Sequence, residues 1–393
     1  MGIMASSARS VLLALSWYDH RVHRGVARYA ERFGWYLDAR MANSTEPVWG
    51  WQGDGVLCKI GCTAVDEELR NFVLSLNLPT VDLSVFGPPA GLPALEFNPM
   101  EIGRLAAEHF LQRGFAHFAW YPNLPGAPLA ARRNGFQNCL AERGFPVHLL
   151  DPIPTEQVPQ GWQDGELKLG RKLAKLPQPI GILAFNDDWA VQLLRACEAV
   201  GLQVPEQVAV LGIDNQSLVC EHLAVPLSSV RLDLEAWGEQ AASMLHRFME
   251  KESSWTEAQK EADMAWMSPS EVVARRSTDV IAVKHSAVSK AVAFISENFA
   301  EGLQVADVVR ASGLSRSGLK EAFRRHLHRS IHEEIQRVQC LEMRRLLRTT
   351  DWTLDRVARA CGLANVRHLH RLFGRFETMT PQEYRKLDQA ATD

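Results

Sequence analysis

The feature that most constrains the fold is a short helical pattern that occurs twice near the end of the chain. The first copy runs from Val305 to Phe323 and the second from Leu354 to Phe373. Each copy has an apolar stretch at helical spacing, then Gly313 or Gly362, a capping residue and a second amphipathic stretch. Glycine tolerates the left-handed backbone of a sharp turn. Each copy therefore predicts two helices joined by a tight turn.

The segment between the copies predicts one longer helix. Ile331–Leu347 lacks Gly and Pro and has apolar residues at 331, 335, 338, 341, 343, 346 and 347. Such a helix is on the order of 25 Å long, at about 1.5 Å per residue. With its flanking turns, this helix could hold the second helix of one copy about 34 Å from the second helix of the other, which is one turn of DNA. This indicates two helix-turn-helix motifs in successive major grooves; two amphipathic hairpins of another all-α domain are the alternative.

Charge is unevenly distributed along the chain. Residues 284–386 contain 19 Lys and Arg against 11 Asp and Glu, whereas residues 1–283 contain 24 against 33. A basic domain on an acidic body is typical of a nucleic-acid-binding protein with a separate sensing part. Its basic side chains would release counterions from phosphates, so DNA affinity should fall with salt.

The cysteines and the apolar runs of the sequence indicate the cellular compartment of the protein. The seven cysteines are odd in number and irregularly spaced, which predicts reduced thiols. Cys58 and Cys62 have no second ligand pair nearby, so we predict no metal site. Val11–Leu15 is too short for a signal-peptide core or a membrane span. We therefore expect a cytoplasmic protein that makes no membrane contact and needs no cofactor.

Residues 1–279 alternate short apolar runs with amphipathic stretches. The alternation begins with a strand at Val11–Leu15 and a helix at Arg21–Phe33, and continues to a strand at Val208–Ile213. It predicts parallel sheets covered by helices. At roughly 280 residues the region suits two doubly wound α/β lobes better than one. Ligands of such lobes bind beyond the carboxyl ends of the strands, here in the cleft between the lobes.

Polar residues collect where the predicted strands end. Trp17 and Asp19 follow the first strand, Asp82 ends the third, and Asn186 and Asp214 end two later strands. Carboxylates and amides can pair with adjacent hydroxyls, and an aromatic face can cover the C–H surface of a sugar. For any one of these residues the alternative is a helix cap. As a set they predict a sugar-binding cleft.

The C-terminal region resembles the DNA-binding domain of the AraC/XylS family of transcription regulators. Thr380-Pro-Gln-Glu-Tyr384-Arg385 matches that family's signature after its second motif, and the second copy is one residue longer between its Gly and its Phe, as in the family. His368-Leu369 departs from the pattern, because the family usually has two aromatic residues there. The resemblance implies an all-α domain with two helix-turn-helix motifs.

The exposed faces of the two recognition helices are expected to contact bases. The positions that coincide with the family's base-contacting positions are Ser317, Lys320 and Glu321 in the first helix and Arg367, His370 and Arg371 in the second. Lys and Arg can bind guanine O6 and N7, and Glu can accept from cytosine N4. Glu321 could instead pair with Arg324 or Arg325 on its own helix. Arg375 is expected to contact phosphate, which positions without specifying sequence.

Residues 1–279 resemble the effector domain of the LacI/GalR family, which has a type 1 periplasmic-binding-protein fold. Ala184-Phe-Asn-Asp-Asp188 and Val210-Leu-Gly-Ile-Asp214 match two of its common motifs, and Arg132-x-x-Gly135-Phe136 matches its sugar-facing arginine motif. The resemblance implies that Arg132, Asn186 and Asp214 bind the effector. The alternative for Arg132 is a salt bridge to a carboxylate in the empty cleft.

The resemblance also implies how the chain is divided. We expect an effector domain at 1–279, a linker at 280–288 and an AraC-type DNA-binding domain at 289–387. Leu227–Val230 resembles the segment that recrosses between lobes, with hinges expected near Gly114 and Ser228. The polar segment at residues 252–267 is either a surface insertion or part of the last crossing.

The implied function is a sequence-specific transcription regulator, an activator, that responds to a small sugar, with xylose or another pentose expected first. Its implied partners are an operator in double-stranded DNA, RNA polymerase and a second copy of the chain in a homodimer. An enzyme could instead use Asp19, Asp187 or Asp188 as acid–base or metal-binding carboxylates. However, the chain has no nucleophile elbow, P-loop, GxGxxG or HExxH motif, so we expect no enzyme. A constitutive DNA-architectural protein would leave the acidic body without a role.

Overall fold

Two α/β lobes followed by a helical domain make up the described part of this computed structural model. It covers residues 8–60, 65–83, 92–124, 127–153, 162–250, 264–280, 286–327, 329–377 and 379–389. The predicted fold class, a two-lobed α/β body with an all-α domain after it, is confirmed.

The first lobe is built on a six-stranded sheet in which all neighbours are parallel. Its strands are β1 (Ser10–Leu15), β2 (Tyr36–Asp38), β3 (Gly55–Lys59), β4 (Thr80–Asp82), β5 (Ala94–Phe97) and β11 (Met264–Met267), in the order β11-β5-β4-β3-β1-β2. Its helices are α1 (His20–Arg32), α2 (Val65–Ser75) and α8 (Leu234–Glu250). The central strands are apolar runs because helices cover both faces of the sheet.

The second lobe has the same plan, with one antiparallel edge strand. Its strands are β6 (Phe118–Tyr121), β7 (Val147–Leu149), β8 (Ile180–Ala184), β9 (Val208–Ile213), β10 (Ser228–Arg231) and β12 (Glu271–Val273), in the order β12-β10-β9-β8-β6-β7. β12 runs antiparallel to β10. Its helices are α3 (Pro99–Leu111), α4 (Ala127–Ala141), α5 (Trp162–Leu173), α6 (Asp187–Ala199) and α7 (Ser217–Cys220).

The chain crosses between the lobes next to residues 98, 232 and 268–270. The crossings lie side by side, since Asn98 N donates to Met267 O (2.7 Å) and Ser270 N donates to Arg231 O (3.0 Å). The hinges expected near Gly114 and Ser228 are therefore wrong. Ser228 begins strand β10 inside the second lobe, and Gly114 follows α3, which packs against α4 of that lobe.

Residues 252–267 are only partly described. Met264–Met267 forms β11, which pairs in parallel with β5 at the edge of the first sheet and precedes the last crossing. Residues 251–263 lie outside the described residues.

The helical domain has two small cores that share one long helix. Its helices are α9 (Ser286–Asn298), α10 (Val305–Ser312), α11 (Arg316–Leu327), α12 (Ile331–Thr349), α13 (Leu354–Ala360), α14 (Val366–Phe373) and α15 (Pro381–Gln389). The first half of α12 contributes Ile335 and Val338 to the first core, and its second half contributes Met343 and Leu346 to the second. Because one helix serves both cores, the two motifs are held as one unit.

The turns of both motifs have the predicted chemistry. Gly313 and Gly362 adopt left-handed conformations, with φ of 73° and 68°. Ser315 Oγ accepts from the N–H of Gly318 (3.2 Å), and Asn365 Oδ1 accepts from the N–H of the residue three places on (2.9 Å). These caps satisfy N–H groups that a helix start leaves without partners.

Two further findings concern thiols and membranes. Six cysteines of the described residues are buried and free, and Cys62 lies outside that set. Across the described residues no helix combines the length and apolarity that a membrane span requires. The domain bounds stay a prediction, although α9 begins at Ser286, within the segment expected to be a linker.

Candidate functional site

A cavity of about 200 Å³ lies between the two lobes, at the carboxyl ends of β1, β3, β5, β8 and β9. Its wall includes Trp17, Lys59, Glu96, Phe97, Arg132, Phe185, Asn186, Asp188, Asp214, Gln216 and Trp237. Sites for drug-sized ligands usually measure roughly 300–1,000 Å³. This smaller volume suits a ligand such as one sugar ring.

Arg132 is positioned by an unusually close contact between α3 and α4. A Cβ added to Gly135 would lie 2.2 Å from Met100 O, and one added to Gly103 would lie 2.2 Å from Arg132 O. Only glycine permits this approach, which explains why the arginine motif contains Gly135. The Arg132 side chain donates to Phe185 O (3.0 Å) and lies 4.8 Å from the centre of the Phe185 ring. It forms no ion pair within the described residues, contrary to the salt-bridge alternative.

Asp214 and Asn186 lie at adjacent strand ends in the second lobe. Asp214 has a φ of 99°, a conformation that residues other than glycine rarely adopt and that is often associated with function. Within the described residues its carboxylate makes no hydrogen bond. Asn186 Oδ1 caps α6 by accepting from Trp189 N (3.0 Å), which leaves its NH2 group as a donor at the cavity wall.

Lys59 and Glu96 also line the cavity, although the sequence reasoning missed them. The available signal was weak: Lys59 ends the buried strand β3, and Glu96 interrupts the apolar strand β5. Burial lowers the pKa of Lys59 to about 8 and raises the pKa of Glu96 to about 8. Burial also raises the pKa of Asp214, although the charges of Arg132 and Lys59 oppose that shift.

These titratable groups are separated rather than paired. Lys59 Nζ lies over the Trp17 ring, 3.7 Å from its centre. In the described part of the chain, Lys59, Glu96 and Asp214 form no ion pair within 4.0 Å and no side-chain hydrogen bond. Buried charges without partners are costly. Hydroxyl groups of a ligand could bind these donors and acceptors, with Trp17 and Trp237 as apolar walls.

The structure does not place Asp19 or Asp82 at the cavity wall. Asp19 caps α1 by accepting from Arg21 N (2.8 Å), and it forms an ion pair with the Arg21 side chain (2.8 Å). Arg21 then reaches the other lobe and donates to Asp214 O (3.0 Å). Asp82 is fully buried and accepts from Ile60 N (3.4 Å). Both strand-end carboxylates turn toward their own lobe instead of the cleft.

Asp187 is held by contacts within the second lobe. Its carboxylate accepts from Gln216 N (2.8 Å), Ser229 Oγ (2.6 Å) and Cys220 Sγ (3.3 Å). Burial raises its pKa to about 7. Its role here is to join α6 to the ends of β9 and β10.

The predicted base-contacting residues lie on the outer faces of α11 and α14. The exposed ones are Ser317, Lys320, Glu321, Arg367 and Arg371, and His370 is half-buried. Leu319 and Leu369 on the opposite faces are fully buried, so each helix is fixed by one face and presents the other. Glu321 forms no ion pair with its neighbouring arginines in the described residues. Arg375 Nη1 donates to Gln336 Oε1 (2.8 Å).

Known protein families match two separate parts of the chain. Residues 107–278 match the family described as periplasmic binding protein-like domain, and residues 308–387 match the helix-turn-helix domain family. The chain is 28% identical over 382 residues to the xylose operon regulatory protein of Escherichia coli K12, covering 94% of each chain. It is 26% identical to the protein of the same name from Haemophilus influenzae, covering 94% of this chain and 95% of that one.

Solved structures show the same architecture. The xylose-binding transcription activator xylR aligns with a TM-score of 0.63 and 26% identity, over 98% of this chain and 99% of that one. A LacI family regulator from Enterococcus faecalis with bound ribose aligns with a TM-score of 0.52 over 70% of this chain and 100% of that one. Its identity is 18%, so this second likeness shows the fold alone. The chain is a DNA-binding transcription regulator in which a periplasmic-binding-protein-like domain precedes a helix-turn-helix domain.

Proposed function

We propose that this regulator binds a small neutral sugar, D-xylose or another pentose, in the interlobe cavity and that the occupied protein activates transcription. The observation that carries the proposal is the convergence of Arg132, Asn186 and Asp214 with Lys59 and Glu96 in one small cavity. The names of the relatives from E. coli and H. influenzae, both xylose operon regulatory proteins, support the choice of sugar.

The charge of the cavity supports a neutral ligand. Arg132 and Lys59 are balanced by Asp188 and Asp214, while Glu96, whose pKa burial raises to about 8, is largely protonated near neutral pH, so no excess charge is available to attract an acidic or phosphorylated sugar. Separated donors and acceptors suit a ring of hydroxyl groups, each of which both donates and accepts. We propose that Trp17 covers one face of the sugar ring, beside the ammonium group of Lys59.

We propose two distinct roles for the predicted carboxylates. Asp214 accepts from the sugar, whereas Asp19 acts through Arg21, which joins the lobes at the Asp214 carbonyl. Asp82 and Asp187 support the strand ends. Since Asp19 and Asp187 are already engaged by Arg21 and by three donors respectively, we assign them no catalytic function.

Calorimetric titration of the full-length protein with a panel of pentoses and hexoses tests this proposal. We expect D-xylose or another pentose to bind, and Asp214→Asn to abolish binding. Asparagine tolerates positive φ, so this variant keeps the backbone and removes the charge. Glu206→Gln, an exposed carboxylate of the second lobe, is the control and should bind normally. Normal binding by Asp214→Asn would show that the cavity is not the effector site.

On the DNA side, we propose that α11 and α14 occupy successive major grooves of one operator. Support comes from the exposed Lys320 and Arg371 on these helices and from the single helix α12 that joins both cores. We further propose that the protein acts in the cytoplasm as a homodimer and contacts RNA polymerase. A dimer would convert closure of the lobes into a change in spacing between two DNA-binding domains.

A further inference from the structure

One continuous set of contacts leads from the effector cavity to the DNA-binding domain, and its interpretation rests on the proposed sugar site. The path begins at Asp214 and Asn215, the turn that follows β9. Both residues have positive φ, 99° and 48°. Neighbouring contacts must hold this turn, because residues other than glycine seldom adopt such a conformation. One of its side chains lines the cavity and the other faces away, toward Arg275.

Arg275 ties the turn to the end of the effector body. Its Nη1 donates to Asn215 Oδ1 (2.8 Å) and Leu227 O (2.9 Å), and its Nη2 donates to Glu221 Oε1 (2.9 Å). The side chain is only 10% exposed. A planar guanidinium can serve these three acceptors at once, which a lysine ammonium on a flexible stem does not reproduce. The position of the turn therefore determines the position of Arg275.

A four-residue segment follows Arg275 and ends at a residue that contacts the helical domain. Arg276–Thr278 forms a single 3-10 turn and is followed by Asp279. The second lobe holds this turn through His109 Nε2 and Thr278 Oγ1 (2.8 Å) and through Arg113 Nε, which donates to Thr278 O (3.0 Å). A short, tightly bonded segment transmits displacement, whereas a long flexible linker would absorb it.

Asp279 is bonded directly to the DNA-binding domain. Both Nη atoms of Arg337, on α12, donate to Asp279 Oδ1 at 3.1 Å. Arg337 also donates to Glu334 (2.8 Å), a fully buried carboxylate on the same helix. Burial would lower the pKa of Arg337, but Glu334 and Asp279 raise it, so this cation stays charged. Because α12 belongs to both small cores, a shift of Arg337 moves both recognition helices together.

The packing between the two domains is interrupted beside this junction. A cavity of about 520 Å³ separates them, with Val273 and Arg276 on the effector side and Phe299, Leu341 and Tyr384 on the helical side. Interfaces that are fully packed resist small displacements. A junction held by separate polar contacts around a cavity can change its arrangement more easily.

We propose that Arg275 and Asp279 are positioning residues that carry the state of the Asp214–Asn215 turn to helix α12. When the cavity is filled, the turn and Arg275 move together, and the Asp279–Arg337 pair transmits this movement to both helix-turn-helix motifs. The two residues contact neither sugar nor DNA, and their effect is on the coupling between the two binding events.

The test compares Arg275→Gln and Asp279→Asn with Arg276→Gln in the full-length protein. Arg276 is the matched control, because it is adjacent and exposed and, although it borders the cavity between the domains, its side chain has no partner in the described residues. Three dissociation constants are measured: for D-xylose by calorimetry, and for a duplex selected in vitro by the wild type, with and without D-xylose. The ratio of the two DNA constants is the coupling factor.

We expect the wild type and Arg276→Gln to have a coupling factor of about 5 to 150, and the two test variants to have a factor of about one. Their affinities for D-xylose and for DNA without sugar should stay close to those of the wild type. A wild-type coupling factor in both test variants would overturn the proposal. Loss of D-xylose binding would overturn it too, because the residues would then support the cavity itself.

A second experiment tests the role of Arg275 without any sugar. Amide hydrogen exchange of α12 in the sugar-free protein should be faster in Arg275→Gln than in Arg276→Gln, because the anchor at Asp279 is loosened. Equal exchange in both variants would count against the relay. If the wild type binds neither D-xylose nor another pentose, the proposed function fails, and this exchange experiment still decides the role of Arg275.

Discussion

Replacing Glu96 with Gln should stabilise the effector body, and the gain should increase with pH. Burial raises the pKa of Glu96 to about 8 from an ordinary value of 4.5. Between these values the folded protein keeps a proton that the unfolded chain releases. The stability contributed by protonated Glu96 is therefore complete below pH 4.5 and is lost as the pH rises toward 8. The amide introduced by Glu96→Gln does not titrate, so the variant would lack this pH dependence.

The expected size follows from this difference in pKa. Each pH unit between the two values changes the free energy of unfolding by about 1.4 kcal/mol. As the pH rises from about 6.0 to about 7.5, the free energy of unfolding of the variant should therefore increase by about 2 kcal/mol relative to that of the wild type. At about 2–4 °C per kcal/mol, this corresponds to a relative increase of about 4–8 °C in Tm. The protonation state of Lys59 should change little in this variant, since the Gln side chain resembles the protonated carboxyl group of Glu96.

Thermal unfolding followed by tryptophan fluorescence, without sugar and at both pH values, provides the assay. Glu31→Gln, an exposed glutamate on α1, is the control and should show no pH-dependent difference from the wild type. A Glu96→Gln variant whose relative Tm is unchanged with pH would refute the reasoning. A variant that becomes relatively less stable at the higher pH would mean that Glu96 is ionised in the folded protein and stabilised by Lys59 or Arg132.

Two further predictions concern the DNA-binding domain. Lys320→Ala should relax specificity at one or two base pairs, with a loss of about 1–3 kcal/mol of binding free energy at those positions. Arg375→Ala should instead weaken binding to all sequences about equally. Binding titrations against single-base operator variants would distinguish the two results. Gly313→Ala should cost about 1–2 kcal/mol because of its positive φ. Gly362→Ala should destabilise the domain more, because its added Cβ would lie 2.4 Å from Phe299 O, whereas a Cβ at Gly313 would meet no atom within 4 Å. Chemical denaturation that ranks the two variants in the opposite order would contradict this prediction.

The helical domain could be predicted closely because its determinants are local. Gly313 and Gly362 mark turns that require positive φ, and the apolar spacing of Ile331–Leu347 predicts the helix observed at Ile331–Thr349. Ser315 and Asn365 are caps whose hydrogen bonds span three residues. Interactions over so few residues are visible as spacing in the sequence.

The fold class of the effector lobes could be predicted from the sequence, but several of their strands could not. Apolar strands such as β1 and β9 are evident because both faces of a parallel sheet are covered. The sequence reasoning missed β2, β5, β10 and β12, each of three or four residues, and left the position of β11 undecided. Strands this short have too few residues to show a periodicity, and their pairing depends on neighbours that are distant in the chain.

The sequence by itself determined the fold class, the repeated helix-turn-helix motif and the candidates Arg132, Asn186 and Asp214. Only the tertiary structure decided which strand-end side chains meet. It brought Lys59 and Glu96, from different strands, into the same cavity as these candidates, while hydrogen bonds within the first lobe turned Asp19 and Asp82 away from it. The physical reason is that residue type and spacing specify which groups reach a strand end, whereas the direction of each side chain depends on packing partners far away in sequence.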